Sequence, residues 1–500
     1  MNADLKRVLA RFKWALEPGE TLSQRTMRGG AWMLVLRVVE RVLGLVRTVL
    51  LARLLVPDDF GVMGVALLAM SALETASQTG FDIALIQKKG EIREYLDTAW
   101  TIQVIRGLVL FGVLLVAAPL VARFFDSPES IAITRAIAIV ELLKGLTNTG
   151  VIYFQRDLEF SRQFAYQFSG TFANLAVAVS AALLWRNVWA LALGLVVGQI
   201  VRCILSYLMH PYRPRLYVNW QKGREIFGFG KWVTATGIVV FLAVNGDDIL
   251  LGKLLGTAAL GLYQMAYLFA NLATTEVTHV ISQVALPAYS RIQDDRDRLR
   301  SAFLRTLETT LFLATPVSAG VLLLGPDFTR IFLGEKWTPM VLGLQILAVS
   351  GLLRAVVATG GPIFNAVSRP HLNFWMNLVR LGVMAAAVFP LTRYWGLTGT
   401  SLAVLLGMVA DIPIWWHSSL QIVGEGGSVL LRRFADVVLV FLAMGVPVLV
   451  FKSLLAPVGV LEFVVLTLLS AAGGGGLFWT LWKYFRRGPV GMIREVILSM

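Results

Sequence analysis

Apolar residues recur along the chain in long runs separated by short polar connections. A helix needs about 20 apolar residues, each rising 1.5 Å, to cross a bilayer. The pattern therefore predicts an all-α polytopic membrane protein with about fourteen transmembrane helices. These are predicted at 30–54, 60–82, 96–121, 130–153, 163–185, 188–208, 228–252, 259–287, 301–324, 339–364, 371–391, 396–418, 431–453 and 459–482.

Two stretches of the chain align without a gap at an offset of 200 positions. They are ARLLVPDDFGVMGVALL (52–68) and GKLLGTAALGLYQMAYL (252–268). Each stretch lies at the first outside turn of its half, and six predicted spans separate the two turns. Internal repeats are typical of transporters. The alternative is chance similarity between two Leu-rich segments.

The repeat predicts two pseudo-symmetric six-helix lobes followed by two accessory C-terminal helices. The polar stretch HPYRPRLYVNWQKGRE, after the sixth span, marks the connection between the lobes. The predicted divisions are a cytoplasmic amphipathic N-terminal segment at 1–29, an N-lobe at 30–208, a cytoplasmic linker at 209–227, a C-lobe at 228–418, and accessory spans with a cytoplasmic tail at 419–500.

The distribution of charge sets the expected orientation. With the N-terminus inside, the predicted inside segments hold 28 basic residues and the outside segments hold 8. This bias predicts that both termini are cytoplasmic. A hydrophobic fraction of 57% and a charged fraction of 15% exclude a soluble protein. The net charge of +14 is explained by basic loops facing an anionic leaflet, so no nucleic-acid partner is predicted.

The first span carries an unusual set of charges. Arg37, Glu40, Arg41 and Arg47 lie close to one helical stripe. Charges at bilayer depth normally face protein or water. The stripe either holds a helix bundle together through Glu40, or lines a water-filled cavity between the lobes. We predict the second, with Glu40 orienting the arginines and with Arg106 as a further substrate-binding residue, because arginine binds phosphate in two-point fashion.

A second polar set lies on the eighth predicted span. Glu276 and His279 are three positions apart, and Asn271 precedes them by one to two turns. A carboxylate and an imidazole on one helical face can bind a cation or relay a proton. The alternative is a buried hydrogen-bonded pair within the helix bundle. No ATPase, nucleophile-elbow or metalloprotease motif is found, and one cysteine, Cys203, excludes an intrachain disulfide. No cofactor or metal is predicted.

Four ordered stretches carry a resemblance to a known family. They are ARLLVPDDFGVMGVA (52–66), YFQRDLEFSRQF (153–164), YRPRLYVNWQKGREIFGFGKW (212–232) and DILLGKLLGTAALGLYQMAY (248–267). With these, the chain resembles the polysaccharide transporter branch of the multidrug/oligosaccharidyl-lipid/polysaccharide exporter superfamily. Within it, the chain is most similar to the bacterial O-antigen and exopolysaccharide lipid-carrier flippases.

The resemblance implies a V-shaped, two-lobed transporter of the bacterial inner membrane. It implies alternating access and a substrate of undecaprenyl-pyrophosphate-linked oligosaccharide or exopolysaccharide repeat units. Na⁺ and H⁺ are candidate coupling ions, membrane lipids are expected contacts, and a polysaccharide polymerase and export machinery are candidate partners. We predict a monomer and no enzymatic activity. The alternatives are a cation-coupled multidrug exporter of the same fold and an integral-membrane polysaccharide polymerase or ligase.

Overall fold

A computed structural model describes residues 22–77, 93–157, 159–217, 220–424, 427–454 and 459–485. These residues form helices joined by short turns. In chain order they are α1 (Leu22–Leu54), α2 (Pro57–Ala76), α3 (Arg93–Phe124), α4 (Ser130–Leu146), α5 (Ile152–Arg156), α6 (Phe160–Trp185), α7 (Trp189–Met209), α8 (Trp220–Arg291), α9 (Arg296–Phe328), α10 (Val341–Ala358), α11 (Gly360–Ala366), α12 (His371–Val423), α13 (Gly427–Leu454) and α14 (Val460–Phe485). Residues 1–21 of the predicted amphipathic N-terminal segment lie outside the described residues.

Each predicted span overlaps a helical stretch of the described residues, and the end of the span predicted at 60–82 lies outside them. Eight helical segments among the described residues are long and apolar enough to cross a membrane, and two shorter apolar segments lie in α13 and α14. The prediction of an all-α polytopic membrane protein is therefore confirmed. The number of fourteen spans stays a prediction.

The helix breaks follow the sequence repeat. The turn between α1 and α2 is centred on Val56, whose backbone is extended (φ −95°, ψ 161°). The long helix α8 is interrupted at Gly256 (φ 81°, ψ −177°), at an offset of 200 from Val56. A φ of this sign favours glycine, which has no Cβ to clash with the backbone. The two halves thus turn at matching positions of the repeat.

Local chemistry starts α2 where it does. Pro57 fits the first helical position, where an amide proton would have no intrahelical acceptor. Asp59 accepts a hydrogen bond from the backbone amide of Val56 at 3.0 Å. Asp58 and Asp59 both lie in the first turn, where negative charge is favoured by the helix dipole.

The chain forms two compact units. The first comprises residues 1–246 with 256–258, and the second comprises 247–255 with 259–500. The core of the first unit is an aliphatic cluster that includes Leu51, Leu114 and Ile137. The second has a core around Phe303, Phe364 and Trp415, all fully buried. The domain bounds derived from the sequence stay a prediction.

The last two helices pack within the second unit. Leu324 of α9 lies in one buried cluster with Val448 of α13 and Leu466 of α14. A second cluster joins Ala319 of α9 to Val440 and Met444 of α13. α13 and α14 are thus anchored on α9 through apolar contacts.

Candidate functional site

The first unit contains a polar cavity of about 560 Å³. It lies among α1, α3, α4, α6 and α7 and the turn that follows α4. Its charged lining residues are Glu40, Arg106, Glu141, Lys144 and Arg202, and its neutral polar ones include Gln103, Asn148, Tyr166, Gln167 and Gln199. Three basic and two acidic side chains give the lining a formal charge of +1.

A close approach of α3 and α4 brings two of the basic residues together. A Cβ on Gly107 would lie 2.7 Å from the carbonyl oxygen of Glu141, and a Cβ on Gly145 would lie 2.7 Å from that of Gln103. Any side chain at either position would push the helices apart, so glycine is required for this contact. The neighbours of these glycines, Arg106 and Lys144, therefore line the same cavity.

Lys144 joins two helices through their carboxylates. Its Nζ donates a hydrogen bond to Glu141 at 2.8 Å and also bonds Glu74 of α2. The side chain of Glu141 is only 2% exposed, whereas that of Lys144 is 37% exposed. A buried carboxylate needs such a partner, because removing it from water without one costs several kcal/mol. Lys144 thus neutralises Glu141 and holds α2 against α4.

Arg106 caps the C-terminal end of α2. Its Nε donates to the hydroxyl of Ser77 at 3.0 Å, and its terminal nitrogen donates to the carbonyl of Glu74 at 3.1 Å. Positive charge is favoured at a helix C-terminus, where carbonyl groups lack intrahelical partners. Arg106 is half-buried, so this capping role leaves part of its side chain on the cavity wall.

Arg202 and Glu40 form the opposite part of the lining. Arg202 donates a hydrogen bond to the hydroxyl of Thr171 at 3.1 Å. Glu40 interacts with the charge of Arg202 and with the same hydroxyl. Arg202 also approaches Gly170 closely, since a Cβ there would lie 2.4 Å from its side chain. α1, α6 and α7 therefore meet at one polar junction.

The predicted stripe on the first span is divided by the structure. Glu40 lines the first-unit cavity, as Arg106 does, whereas Arg37, Arg41 and Arg47 are not among its lining residues. The Nε of Arg47 is buried and has no hydrogen-bond partner among the described residues. The substrate-binding roles of the five residues stay predictions, and so does the cavity between the lobes.

The prediction from the sequence did not place Glu141, Lys144 or Arg202 in a site. It missed the neutral members Gln199, Gln167 and Tyr166. Polar residues at Gln199 and Arg202, three positions apart on an otherwise apolar helix, are a signal that could have indicated this face.

An extended segment, residues 210–217, contacts the wall of the cavity. The side-chain amide of Asn148, on the cavity wall, donates to the carbonyl of Tyr212 at 2.7 Å. The hydroxyl of Tyr212 bonds Asp97 of α3, and the amide of Arg215 donates to the same carboxylate at 2.9 Å. Burial raises the pKa of Tyr212, so the phenol stays protonated and donates. We call residues 210–217 the strap.

The second unit holds a separate polar cluster. The hydroxyl of Tyr263 donates to Asp247, and Arg354 donates to the hydroxyl of Tyr267 at 2.7 Å while lying over its ring at 5.3 Å. Its charged members are Asp247, Asp248, Arg354, Arg380 and Asp411, which sum to −1. We call these five residues the acidic cluster.

Asp411 and Arg380 form the far end of the acidic cluster, with a separation of 3.5 Å. One carboxylate oxygen each of Asp247, Asp248 and Asp411 is buried without a hydrogen-bond partner among the described residues. Buried carboxylate oxygens are normally satisfied by a donor, a proton or a cation.

Asn271 borders Tyr267 in the same unit. Its side-chain amide donates to the carbonyl of Tyr267 at 3.1 Å, and its Oδ1 is buried without a hydrogen-bond partner in the described part of the chain. The other two residues of the predicted ion-coupling set, Glu276 and His279, lie in α8, but their side chains are outside the described part of the structure. The predicted set is therefore untested.

The long apolar helices define a polytopic helical membrane protein. The chain matches the family described as "Polysaccharide biosynthesis protein" over residues 50–342, and it belongs to that family. This confirms the resemblance found in the sequence.

Two relatives and one solved structure extend the comparison. The chain is 26% identical over 393 residues to the lipopolysaccharide biosynthesis protein WzxC of Escherichia coli (strain K12), covering 78% of this chain and 80% of that protein. It is 24% identical over 370 residues to the succinoglycan biosynthesis transport protein ExoT of Rhizobium meliloti (strain 1021), covering 74% and 75%. The lipid II flippase MurJ, in its inward closed conformation, shares the fold with a TM-score of 0.72 and 16% identity, covering 91% of this chain and 99% of that chain.

Proposed function

We propose that this protein is a flippase that moves lipid-linked saccharide units of a polysaccharide across the bacterial inner membrane. Its family is that of polysaccharide biosynthesis proteins, and the names of its relatives describe lipopolysaccharide biosynthesis and succinoglycan transport. It is a multi-pass membrane protein. The finer proposal is a substrate carried on undecaprenyl pyrophosphate.

The proposed substrate class is inferred from the residues that line the first-unit cavity. Arg106, Lys144 and Arg202 offer charge for phosphate or acidic sugars, and arginine binds such groups in two-point fashion. Gln103, Gln167 and Gln199 add amide groups, which donate and accept hydrogen bonds as sugar hydroxyls require. We propose that part of the charged headgroup binds here.

The first-span arginines are proposed as a second contact with the headgroup. The buried Nε of Arg47, without a hydrogen-bond partner among the described residues, supports this role. An unsatisfied charged group costs stability unless water or a ligand pairs with it. Arg37 and Arg41, on the same helix, would extend the contact, with Glu40 as their orienting carboxylate.

The two alternatives are less well supported. A multidrug exporter of the same fold would carry mostly cationic substrates, which a lining with a charge of +1 disfavours. A polymerase or ligase is disfavoured because the related ExoT is named a transport protein.

The test is transport in proteoliposomes that contain a fluorescent lipid-linked oligosaccharide. We expect Arg202→Gln and Arg41→Ala to lower the flipping rate at least tenfold. Arg41→Lys should restore part of the rate, because the ammonium group keeps the positive charge but lacks the planar, two-point geometry of the guanidinium group. Arg162→Gln is the matched control, since Arg162 lies on the exposed surface of the first unit.

Three results would contradict the proposal. One is normal flipping by Arg202→Gln and Arg41→Ala. Another is transport of cationic drugs but not of lipid-linked sugars. The third is glycan transfer without flipping. Thermal unfolding of each variant in detergent separates loss of transport from loss of the fold.

We further propose that a cation or a proton couples to transport in the second unit. The acidic cluster carries a surplus negative charge and three buried carboxylate oxygens without a hydrogen-bond partner in the described chain, on Asp247, Asp248 and Asp411. A bound proton or Na⁺ would satisfy them. The predicted set of Asn271, Glu276 and His279 stays a competing proposal.

Gradients across the proteoliposome membrane distinguish the two sets. If the acidic cluster couples, Asp248→Asn should make flipping independent of a pH or Na⁺ gradient, while Glu276→Gln keeps the dependence. The opposite pattern would favour Glu276 and His279. If neither gradient affects the wild type, the coupling proposal is wrong and substrate supply drives the cycle.

A monomeric state, both termini in the cytoplasm, and association with a polymerase and export machinery complete the proposal. The excess of basic residues in the predicted inside segments supports the orientation.

A further inference from the structure

The second unit has a groove of about 700 Å³ between the end of α8 and the start of α9. These two helices are consecutive, and a short turn at 292–295 joins them. The groove is lined by Ile281, Val284, Ala285, Ala288, Tyr289, Asp297, Arg298, Ser301, Ala302, Arg305, Thr306 and Thr309. None of the residues discussed for transport belongs to it.

The two walls of the groove differ in chemistry. The α8 wall is apolar and includes Ile281, Val284 and Ala288, which recur at helical spacing. Val284 is 68% exposed. The α9 wall is polar, with Arg298 and Arg305 on one stripe. Such a groove fits an elongated amphiphile with one apolar and one polar side.

The net charge around the groove indicates which charge the headgroup of a bound amphiphile should carry. Residues 291–305 contain five arginines and three aspartates, a net charge of +2. Asp295 caps α9 by accepting a hydrogen bond from the amide of Arg298 at 3.0 Å, and it also pairs with the side chain of Arg298 at 3.1 Å. The same segment lies on the predicted cytoplasmic side, where anionic lipids attract basic residues.

We propose that this groove binds an anionic phospholipid of the surrounding leaflet. Its phosphate lies near Arg298 and Arg305, and an acyl chain lies along Val284 and Ala288. The surplus of arginine favours an anionic over a zwitterionic headgroup, and the apolar wall favours a lipid over a free phosphate. The proposal is independent of the transported substrate.

Native mass spectrometry of the full chain in detergent tests the proposal. Phosphatidylglycerol and phosphatidylcholine with the same acyl chains are added at equal concentrations. We expect phosphatidylglycerol to remain bound more strongly. One basic residue near an anionic lipid strengthens binding by about fivefold. Arg305→Gln should therefore weaken phosphatidylglycerol binding about fivefold, and Arg298→Gln with Arg305→Gln up to about thirtyfold.

Arg162→Gln is the matched control. Arg162 pairs with Glu159 three positions away, as Arg298 pairs with Asp295, but it belongs to the first unit. It should leave binding unchanged. Ala288→Phe keeps every charge and fills the groove, so it should weaken binding as well. Phosphatidylcholine adducts and thermal unfolding report whether each variant keeps its fold.

Several outcomes would overturn the proposal. Equal retention of the two lipids would remove the charge selectivity, and an equal effect of Arg162→Gln would place the lipid elsewhere. Displacement by inorganic phosphate would indicate a simple anion site. Stronger retention of undecaprenyl phosphate than of phosphatidylglycerol would assign the groove to the lipid carrier instead.

Discussion

The Nζ of Lys144 lies 2.8 Å from the Oε1 of Glu141 and also bonds Glu74, so one ammonium group joins α4 to α2. The pair differs in exposure, because Glu141 is 2% exposed and Lys144 faces the cavity at 37%. Lys144 therefore stabilises the first unit from the cavity wall. Its position also allows it to contact a substrate.

Lys144→Met should destabilise the first unit. It leaves the buried carboxylate of Glu141 without its ammonium partner, which we expect to cost on the order of 2 kcal/mol after allowing for the partial exposure of Lys144. Thermal unfolding in detergent measures the change. Lys144→Met combined with Glu141→Gln should recover most of the loss, because the fully buried carboxylate is then neutral and only the more exposed Glu74 has lost its partner. Equal stability of Lys144→Met and wild type would show that the ion pair contributes nothing.

The strap should make stability depend on pH. The Nδ1 of His210 accepts a hydrogen bond from the amide of Tyr212 at 3.2 Å, and the ring stacks on Tyr153 with centroids 5.4 Å apart. Burial lowers the pKa of His210, and the opposing charges of Glu159, Arg162, Asp157 and Arg213 surround it. The contribution of neutral His210 is therefore complete above its ordinary pKa, about 6.5, and is lost as pH falls through the lower folded value.

His210→Phe tests this dependence. The variant keeps a ring against Tyr153 but cannot titrate or accept from Tyr212. Between pH 7.5 and pH 5.5, we expect the unfolding temperature of the wild type to fall more than that of His210→Phe. This range brackets the ordinary pKa of histidine, about 6.5. His371→Asn removes an exposed histidine of the second unit and should behave as wild type. Parallel pH profiles for all three proteins would remove His210 as the cause.

Gly256 and Gly246 provide a matched pair within α8. Gly256→Ala places a Cβ on a residue with φ 81°, which should destabilise the protein by about 1–2 kcal/mol. At Gly246 the backbone is helical and an added Cβ would meet no atom within 4 Å. Gly246→Ala should therefore stabilise the protein, by up to about 1 kcal/mol. Thermal unfolding compares the two, and equal effects would mean that the break at Gly256 does not need glycine.

The orientation of the chain can be measured directly. Reporter domains fused after Glu225 and after Arg298 should report the cytoplasm, and fusions within 326–336 should report the outside, because basic residues are concentrated in the predicted inside segments. A fusion after Arg298 that reports the outside would overturn the orientation and the number of spans together.

Much of the fold could be predicted because bilayer thickness acts on local sequence. An apolar run long enough to cross the membrane becomes a helix, since no other structure satisfies its backbone there. The turn at Gly256 was predictable in the same way, because the repeat places it in register with Val56. Gly256 lies within the bounds of α8, and the turn there is recognised by the positive φ of this glycine.

The membership of the cavity depended on tertiary structure. Helical periodicity places Arg37, Glu40 and Arg41 on one stripe, but Glu40 is the only one of the three that lines the first-unit cavity. Its other charged members come from three further helices, α3, α4 and α7. Periodicity defines the face on which a residue lies, but it does not define which faces meet.

The sequence by itself determined that this protein is an all-helical membrane protein with a repeated half, because hydrophobic length and turn residues act locally. Only the tertiary structure decided that Arg106, Lys144 and Arg202 share one cavity with Glu40 and Glu141. The physical reason lies in packing. Gly107 and Gly145 let α3 and α4 approach within a distance that no other residue would allow, and this contact brings charges from separate helices together.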